Sequence, residues 1–243
     1  MTSDLSGTTT LVVGASRGLG RGIAAALAAA GAPVVAVART APELAETTVT
    51  EAADATDAAT ARGLLDRHDP SAVVLVAGAT PVLRPLQDQS WETFSVNWHA
   101  DVRVAFTWLG EILRRPLRPG SRVVVVSSGA ALAGSPLSGG YAGAKATQRF
   151  LAGYAQDEAN RAGLGITLTT VLPRLTPLTD LGRPAVQAYA ARSGLSEEDY
   201  LRQLGELLTP EAAGAAVVDL VRAEPASIAP AYLLSAEGLK ALA

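Results

Sequence analysis

Val73-Val74-Leu75-Val76 and Val123-Val124-Val125-Val126 are unbroken apolar runs. A strand with one wet face alternates apolar and polar residues. A short continuous run rich in β-branched residues fits a strand covered on both faces, as inside a parallel sheet. That constrains the whole chain, because parallel strands must be joined by long crossovers, usually helices. The remaining sequence obeys this demand. Strand candidates recur at residues 9–13, 33–38, 72–77, 122–127 and 166–172, with weaker ones at 48–51 and 231–234. Helical stretches at 19–30, 57–67, 91–115, 141–162 and 210–222 lie between them. Thr209-Pro210-Glu211 is a helix start, with a threonine cap, proline at the first position and an acid in the first turn. Ser196-x-x-Asp199 suggests another. This rhythm predicts an α/β fold, a doubly wound parallel sheet of about seven strands with right-handed crossovers, forming one domain over residues 1–243.

Composition narrows the function. The formal net charge is −3 and no block of basic residues is present, which argues against a nucleic-acid surface. The chain has no cysteine, hence no disulfide framework and no thiolate chemistry. His68 and His99 are the only histidines and lie far apart in sequence, so no metal site is expected. Residues 22–38 carry no charge, but they are mostly alanine and are interrupted by Gly31 and Pro33. A helix followed by a strand explains them better than a membrane span, which needs about 20 strongly apolar residues. No charged segment followed by an apolar one opens the chain, so a cytoplasmic location is expected.

Chemistry enters through a few residues. Gly14-Ala15-Ser16-Arg17-Gly18-Leu19-Gly20 follows the first strand and opens the first helix. Glycines there permit a tight turn and close approach of backbone to a phosphate, and the helix N-terminus adds N–H donors. The second strand ends in Ala38-Arg39-Thr40, with no acid to bind ribose hydroxyls. Arg39, with Arg17 as a second partner, suits a 2′-phosphate, so NADP(H) is expected. The chain has two lysines against eighteen arginines, and one of the two, Lys145, stands four residues after Tyr141. On a helix that spacing stacks both side chains on one face. A phenol beside a fixed ammonium is an acid–base device, because the positive charge eases loss of the phenolic proton. Ser127 and Ser128 end a buried strand at the edge where ligands sit. Asn97 interrupts the interior of a predicted helix, where asparagine is a mediocre choice. Residues 176–208 stand outside the strand–helix rhythm, and their place after a strand end marks them as a helical substrate lid.

Together these residues resemble the short-chain dehydrogenase/reductase family in its single-domain form, over essentially the whole chain. The glycine loop, Asp54, Asn97, Ser128 and Tyr141-x-x-x-Lys145 fall in family order, and the thirteen-residue spacing to Tyr141 selects Ser128 over Ser127. The resemblance implies a Rossmann fold and reversible reduction of a small-molecule ketone or aldehyde to an alcohol. Ser128 would hydrogen-bond the substrate oxygen and Tyr141 would protonate it as hydride arrives. Lys145 would tune Tyr141 and hold the nicotinamide ribose, and Asn97 would anchor a water linking Lys145 to solvent. The cofactor would also meet Gly14, Ser16, Arg17, Gly18, Leu19, Gly20, Arg39, Thr40, Asp54, Ala55, Ala77, Gly78, Pro173, Arg174 and Thr176. A homodimer or homotetramer is implied, paired through the helices at 91–115 and 141–162. Departures from the family pattern are Val13 before the first glycine, Leu75-Val76 in place of two asparagines, and Arg174 in place of a glycine. Arg174 is expected near cofactor phosphate or an anionic substrate group. A non-catalytic NADP(H) sensor is the alternative in another class, and the intact Tyr141 and Lys145 argue against it. A sugar-nucleotide epimerase is disfavoured by the short chain.

Overall fold

The computed structural model describes residues 4–40 and 48–242. In chain order the strands are β1 (Thr10–Val13), β2 (Val34–Ala38), β3 (Thr48–Ala52), β4 (Ala72–Leu75), β5 (Arg122–Val126), β6 (Thr167–Pro173), β7 (Ala231–Ser235) and β8 (Gly238–Leu242). The helices are α1 (Gly18–Ala29), α2 (Ala58–His68), α3 (Trp91–Asn97), α4 (Arg103–Arg114), α5 (Ala130–Ala133), α6 (Gly139–Arg161), α7 (Gly182–Arg192), α8 (Glu197–Leu204) and α9 (Pro210–Arg222).

The strands form one sheet in the order β3-β2-β1-β4-β5-β6-β7-β8. All neighbours are parallel except the pair β7 and β8. The order in which strands are added reverses between β1 and β4, so their C-terminal ends open the crevice in which such sheets bind ligands. The eighth strand extends the expected seven. It returns from β7 through a tight turn, with Ser235 facing Gly238.

The uninterrupted valine runs are explained by two apolar layers. Val12, Val74, Val124 and Val126 join a core with Ile23 and Leu27 of α1 and Val217 and Leu220 of α9. Leu11, Val13, Val73, Leu75, Val123 and Val125 face the opposite core, with Leu64 of α2, Trp108 and Ile112 of α4, and Ala155 of α6. Successive strand residues point to opposite faces, and here both faces are dry.

One expected element is broken. The segment read as a single helix over residues 91–115 is α3, a π-turn at Trp98–Val102, and α4. The cause lies on α6. Gln148 is buried, and its Nε2 donates to the Asp101 carbonyl at 2.9 Å, inserting a side chain into the helical ladder. Such π-turns relieve an inserted contact and frequently mark functional sites. Periodicity could not show it, because the turn answers a residue almost fifty positions away.

The caps follow the sequence. Thr209 accepts from Ala212 N at 3.0 Å, and Ser196 from Asp199 N at 3.1 Å. No described helix is long and apolar enough to cross a membrane.

Candidate active site

A cleft of about 990 Å³ opens along the C-terminal ends of β1, β2, β4, β5 and β6. Its end at the glycine loop is made of backbone. Gly14 has φ +101°, and a Cβ there would lie 2.5 Å from the Ala77 nitrogen. A Cβ on Gly20 would lie 2.1 Å from the Gly14 carbonyl oxygen. Only glycine lets the loop after β1, the start of α1 and the loop after β4 meet this closely. Gly14 N donates to Val37 O and Ala77 N to Val13 O, each at 2.8 Å, so both loops are anchored to the sheet.

Ala53, Asp54 and Ala55 line the neighbouring wall. The Asp54 carboxylate accepts from Thr56 N at 2.9 Å and from Thr56 Oγ1 at 2.8 Å. The backbone bond to Thr56, then the hydroxyl bond, hold this carboxyl below the usual range. Fully buried Trp108 donates Nε1 to Ala55 O at 2.9 Å, tying the same turn to α4. Arg39 is exposed at the cleft margin, just beyond β2. Arg17 lies 3.7 Å from Asp180 in the loop leading to α7, an exposed pair that bridges the glycine loop and that loop.

The other end holds Ser128, Tyr141 and Lys145. Ser127 is buried and donates its hydroxyl to the Lys145 carbonyl at 2.7 Å, pinning α6 to the end of β5. Ser128 is half-buried, and its Oγ accepts from Ala130 N at 3.2 Å. Lys145 is buried with Nζ 5.5 Å from the centre of the Tyr141 ring. The same Nζ lies 3.0 Å from Asp101 Oδ1 and donates to Gln148 Oε1 at 3.0 Å. Burial pushes this ammonium down, but the Asp101 carboxylate and the Tyr141 phenol push it up, and the balance leaves it above the ordinary lysine value. Asn97 lies beneath the cleft, where its Nδ2 donates to Ala79 O at 2.7 Å and to Asp101 Oδ2 at 3.1 Å.

The segment 176–208 holds α7 and α8, and Leu181, Tyr189, Tyr200 and Leu204 line the cleft from it. Tyr189 and Ser135 share a short hydrogen bond that ties α7 to the loop after α5. Burial, then neighbouring Tyr189, raises the Tyr200 phenol above its usual value.

The cleft gathers every residue expected from the sequence except Thr40 and Asn97. Thr40 is exposed at the end of a described segment, and Asn97 is buried outside the lining, where it donates to Ala79 O and Asp101 Oδ2. Sequence reasoning missed Asp101 and Gln148. Their signals were spacings: Asn97-x-x-x-Asp101 and Lys145-x-x-Gln148 each share a helix face.

Residues 8–190 match the family model described as short chain dehydrogenase. This chain is a short-chain dehydrogenase/reductase. Among curated relatives, the hydroxynaphthalene reductase-like protein Arp2 of Metarhizium majus is 30% identical over 186 residues, covering 70% of this chain and 68% of its own length. Its counterpart in Metarhizium guizhouense matches over the same extent, also at 30% identity. A crystal structure of a short chain dehydrogenase family protein from Francisella tularensis superimposes with TM-score 0.77 at 21% identity, covering 93% of this chain and 95% of that one. The dehydrogenase is therefore an oxidoreductase of a family that uses nicotinamide cofactors. The residues present fit such a group. A glycine cradle that a single Cβ would fill stands at one end of the cleft, and Tyr141 and Lys145 at the other.

Proposed function

We propose that the protein is an NADPH-dependent carbonyl reductase, or the corresponding alcohol dehydrogenase in reverse. The carrying observation is that one cleft joins the glycine loop and Arg39 to Ser128, Tyr141 and Lys145. NADPH, when bound, supplies the hydride. The loop of Gly14, Ser16, Arg17, Gly18, Leu19 and Gly20 would hold its phosphates, with N–H donors at the start of α1. Arg39 would meet the 2′-phosphate, and Ala55 would flank the adenine. Ala77, Gly78, Pro173 and Thr176 would line the path to the nicotinamide. Ser128 would hydrogen-bond the substrate oxygen and Tyr141 would give it a proton. General acid catalysis of this kind contributes typically 10²–10⁴-fold. Arg174 is exposed in the cleft and would take an anionic group of cofactor or substrate.

Leu132, Leu181, Tyr189 and Leu204 line the cleft and favour an apolar carbonyl compound. The hydroxynaphthalene reductase-like relatives make an aromatic ring the first choice. A homodimer or homotetramer is proposed through α4 and α6. Phe106, Phe150 and Tyr154 are each at least 60% exposed on these helices, an apolar display that solvent does not favour.

NADPH oxidation over a panel of aromatic and aliphatic ketones, aldehydes and quinones tests the function, with Tyr141→Phe as the paired control. The expected result is turnover that falls 10²–10⁴-fold in the variant while NADPH affinity is unchanged. Undiminished turnover in Tyr141→Phe would remove the assigned role. Tight NADPH binding with no turnover across the panel would favour the sensor reading.

A further inference from the structure

Asp101 is the most buried acid near the cleft, at 0% exposure, and nothing in the proposed reaction requires it. Its position is closely determined. The π-turn carries it into the space beside Gly78, where a Cβ on the glycine would lie 2.6 Å from Oδ1. Oδ2 accepts from Ala79 N at 2.9 Å and from Asn97 Nδ2 at 3.1 Å. Oδ1 faces Lys145 Nζ at 3.0 Å.

Lys145 is held as completely. An ammonium has three N–H donors. Two go to Gln148 Oε1 on α6 at 3.0 Å and Val126 O on β5 at 3.5 Å, and Asp101 Oδ1 on the π-turn stands 3.0 Å from Nζ as its ion-pair partner. Gln148 closes the ring by donating to the Asp101 carbonyl at 2.9 Å. The titratable groups facing Lys145 are therefore Asp101 from the π-turn and Tyr141 from its own helix. Nothing else charged approaches it among the described residues. A buried ammonium without a counter-ion tends to lose its proton. Removing one partner of a buried pair exposes that tendency.

We propose that Asp101 is a positioning residue of the proton-transfer site, the counter-ion that fixes Lys145 and holds it charged beside Tyr141. The catalytic part of this inference rests on the reductase reading; the electrostatic part does not. Hydrogen-bonded to Gln148 and Val126 and paired with Asp101, Lys145 acts as a held charge next to the phenol, and Asp101 decides whether that charge persists.

The chain offers a direct test, because Lys145 and Lys240 are its only lysines. Lysine-selective isotope labelling of the full chain gives two side-chain NMR signals, and Lys240→Arg assigns them. Lys240 is exposed on β8 and serves as the internal reference. In the unaltered protein Lys145 should keep its proton to a higher pH than Lys240. In Asp101→Asn it should titrate at least about one pH unit below Lys240, a tenfold or greater loss of proton affinity. Asp101→Glu, which restores the charge, should return it above Lys240. Equal Lys145 titration in the unaltered protein and Asp101→Asn would overturn the proposal. So would a Lys145 that titrates below Lys240 in the unaltered protein, a result that needs no variant to fold. Where turnover is found, Asp101→Asn should lose kcat on the alkaline side and recover it toward lower pH, with KM for NADPH little changed. A profile of unaltered shape would refute the positioning role. Absent turnover in every protein would count against the reductase reading alone, since the lysine titration answers for Asp101 independently.

Discussion

Gly14 and Gly20 shape the glycine-loop end of the cleft with backbone alone, whereas the end around Lys145 is assembled from side chains on the π-turn and α6 and a carbonyl of β5. The first is a local construction. Seven consecutive residues turn from strand to helix, and its one demand is space, which the missing Cβ atoms provide. The second joins residues up to about fifty positions apart, and its demand is charge balance in a dry interior. A cleft of this kind therefore has one end sensitive to volume and another sensitive to charge.

Substitutions that exchange these sensitivities sharpen the contrast. The largest effect is expected from charge at the margin of the glycine-loop end. Arg39→Asp should weaken NADPH roughly 10–100-fold, the range of one or two charge-assisted hydrogen bonds, with NADH affected much less. Fluorescence titration with both nucleotides measures it, and equal losses would mean that the 2′-phosphate lies elsewhere. Next comes volume. Gly20→Ala places a methyl 2.1 Å from the Gly14 carbonyl oxygen, a backbone atom that cannot swing aside. It should cost about 1–3 kcal/mol of stability and weaken both nucleotides about tenfold. Denaturant unfolding and the same titrations check it, and an unaffected cofactor would show that the loop need not hold its shape.

The smallest effect is expected at a charge cluster remote from the cleft. Glu111 is buried on α4, with Arg62 Nε at 3.2 Å and Arg114 Nη1 at 3.0 Å. The hydrogen bond from Arg62 lowers its carboxyl, burial opposes this, and the charges of Arg62 and Arg114 add to the lowering. A carboxyl depressed in the folded state adds stability above its unfolded value, near pH 4.3, and loses it as pH falls through the lower folded value. Thermal melts should therefore show a shallower acid decline in Glu111→Gln than in the unaltered protein, with turnover at neutral pH the same. A steeper decline would mean that burial dominates the site.

Much of the fold was legible because its signals are local. The valine runs announced strands covered on both faces. The segment 210–222 could be bounded from Thr209 and Pro210, and the structure places α9 at Pro210–Arg222. β8 escaped notice because Gly238-Leu239-Lys240-Ala241-Leu242 is short and lies on the sheet edge, where packing constrains composition little. The break between α3 and α4 escaped because residues 91–115 are helical in composition throughout. At the site, Tyr141 and Lys145 were legible as neighbours on one helix. The choice of Ser128 over Ser127 needed a family spacing. In the structure, Ser127 is committed to the Lys145 carbonyl, and Ser128 is left at the cleft.

The sequence by itself determined a doubly wound parallel sheet, a glycine turn at its switch point and a phenol stacked beside an ammonium. Each follows from periodicity, side-chain volume or helix spacing within a short window. Only the tertiary structure decided what surrounds that ammonium. Asp101 and Lys145 are 44 residues apart in the chain and 3.0 Å apart in space. Their partnership exists because α6 packs against the π-turn and drives Gln148 into it. A buried charge is governed by whatever polar groups reach it, and those come from wherever the fold brings them.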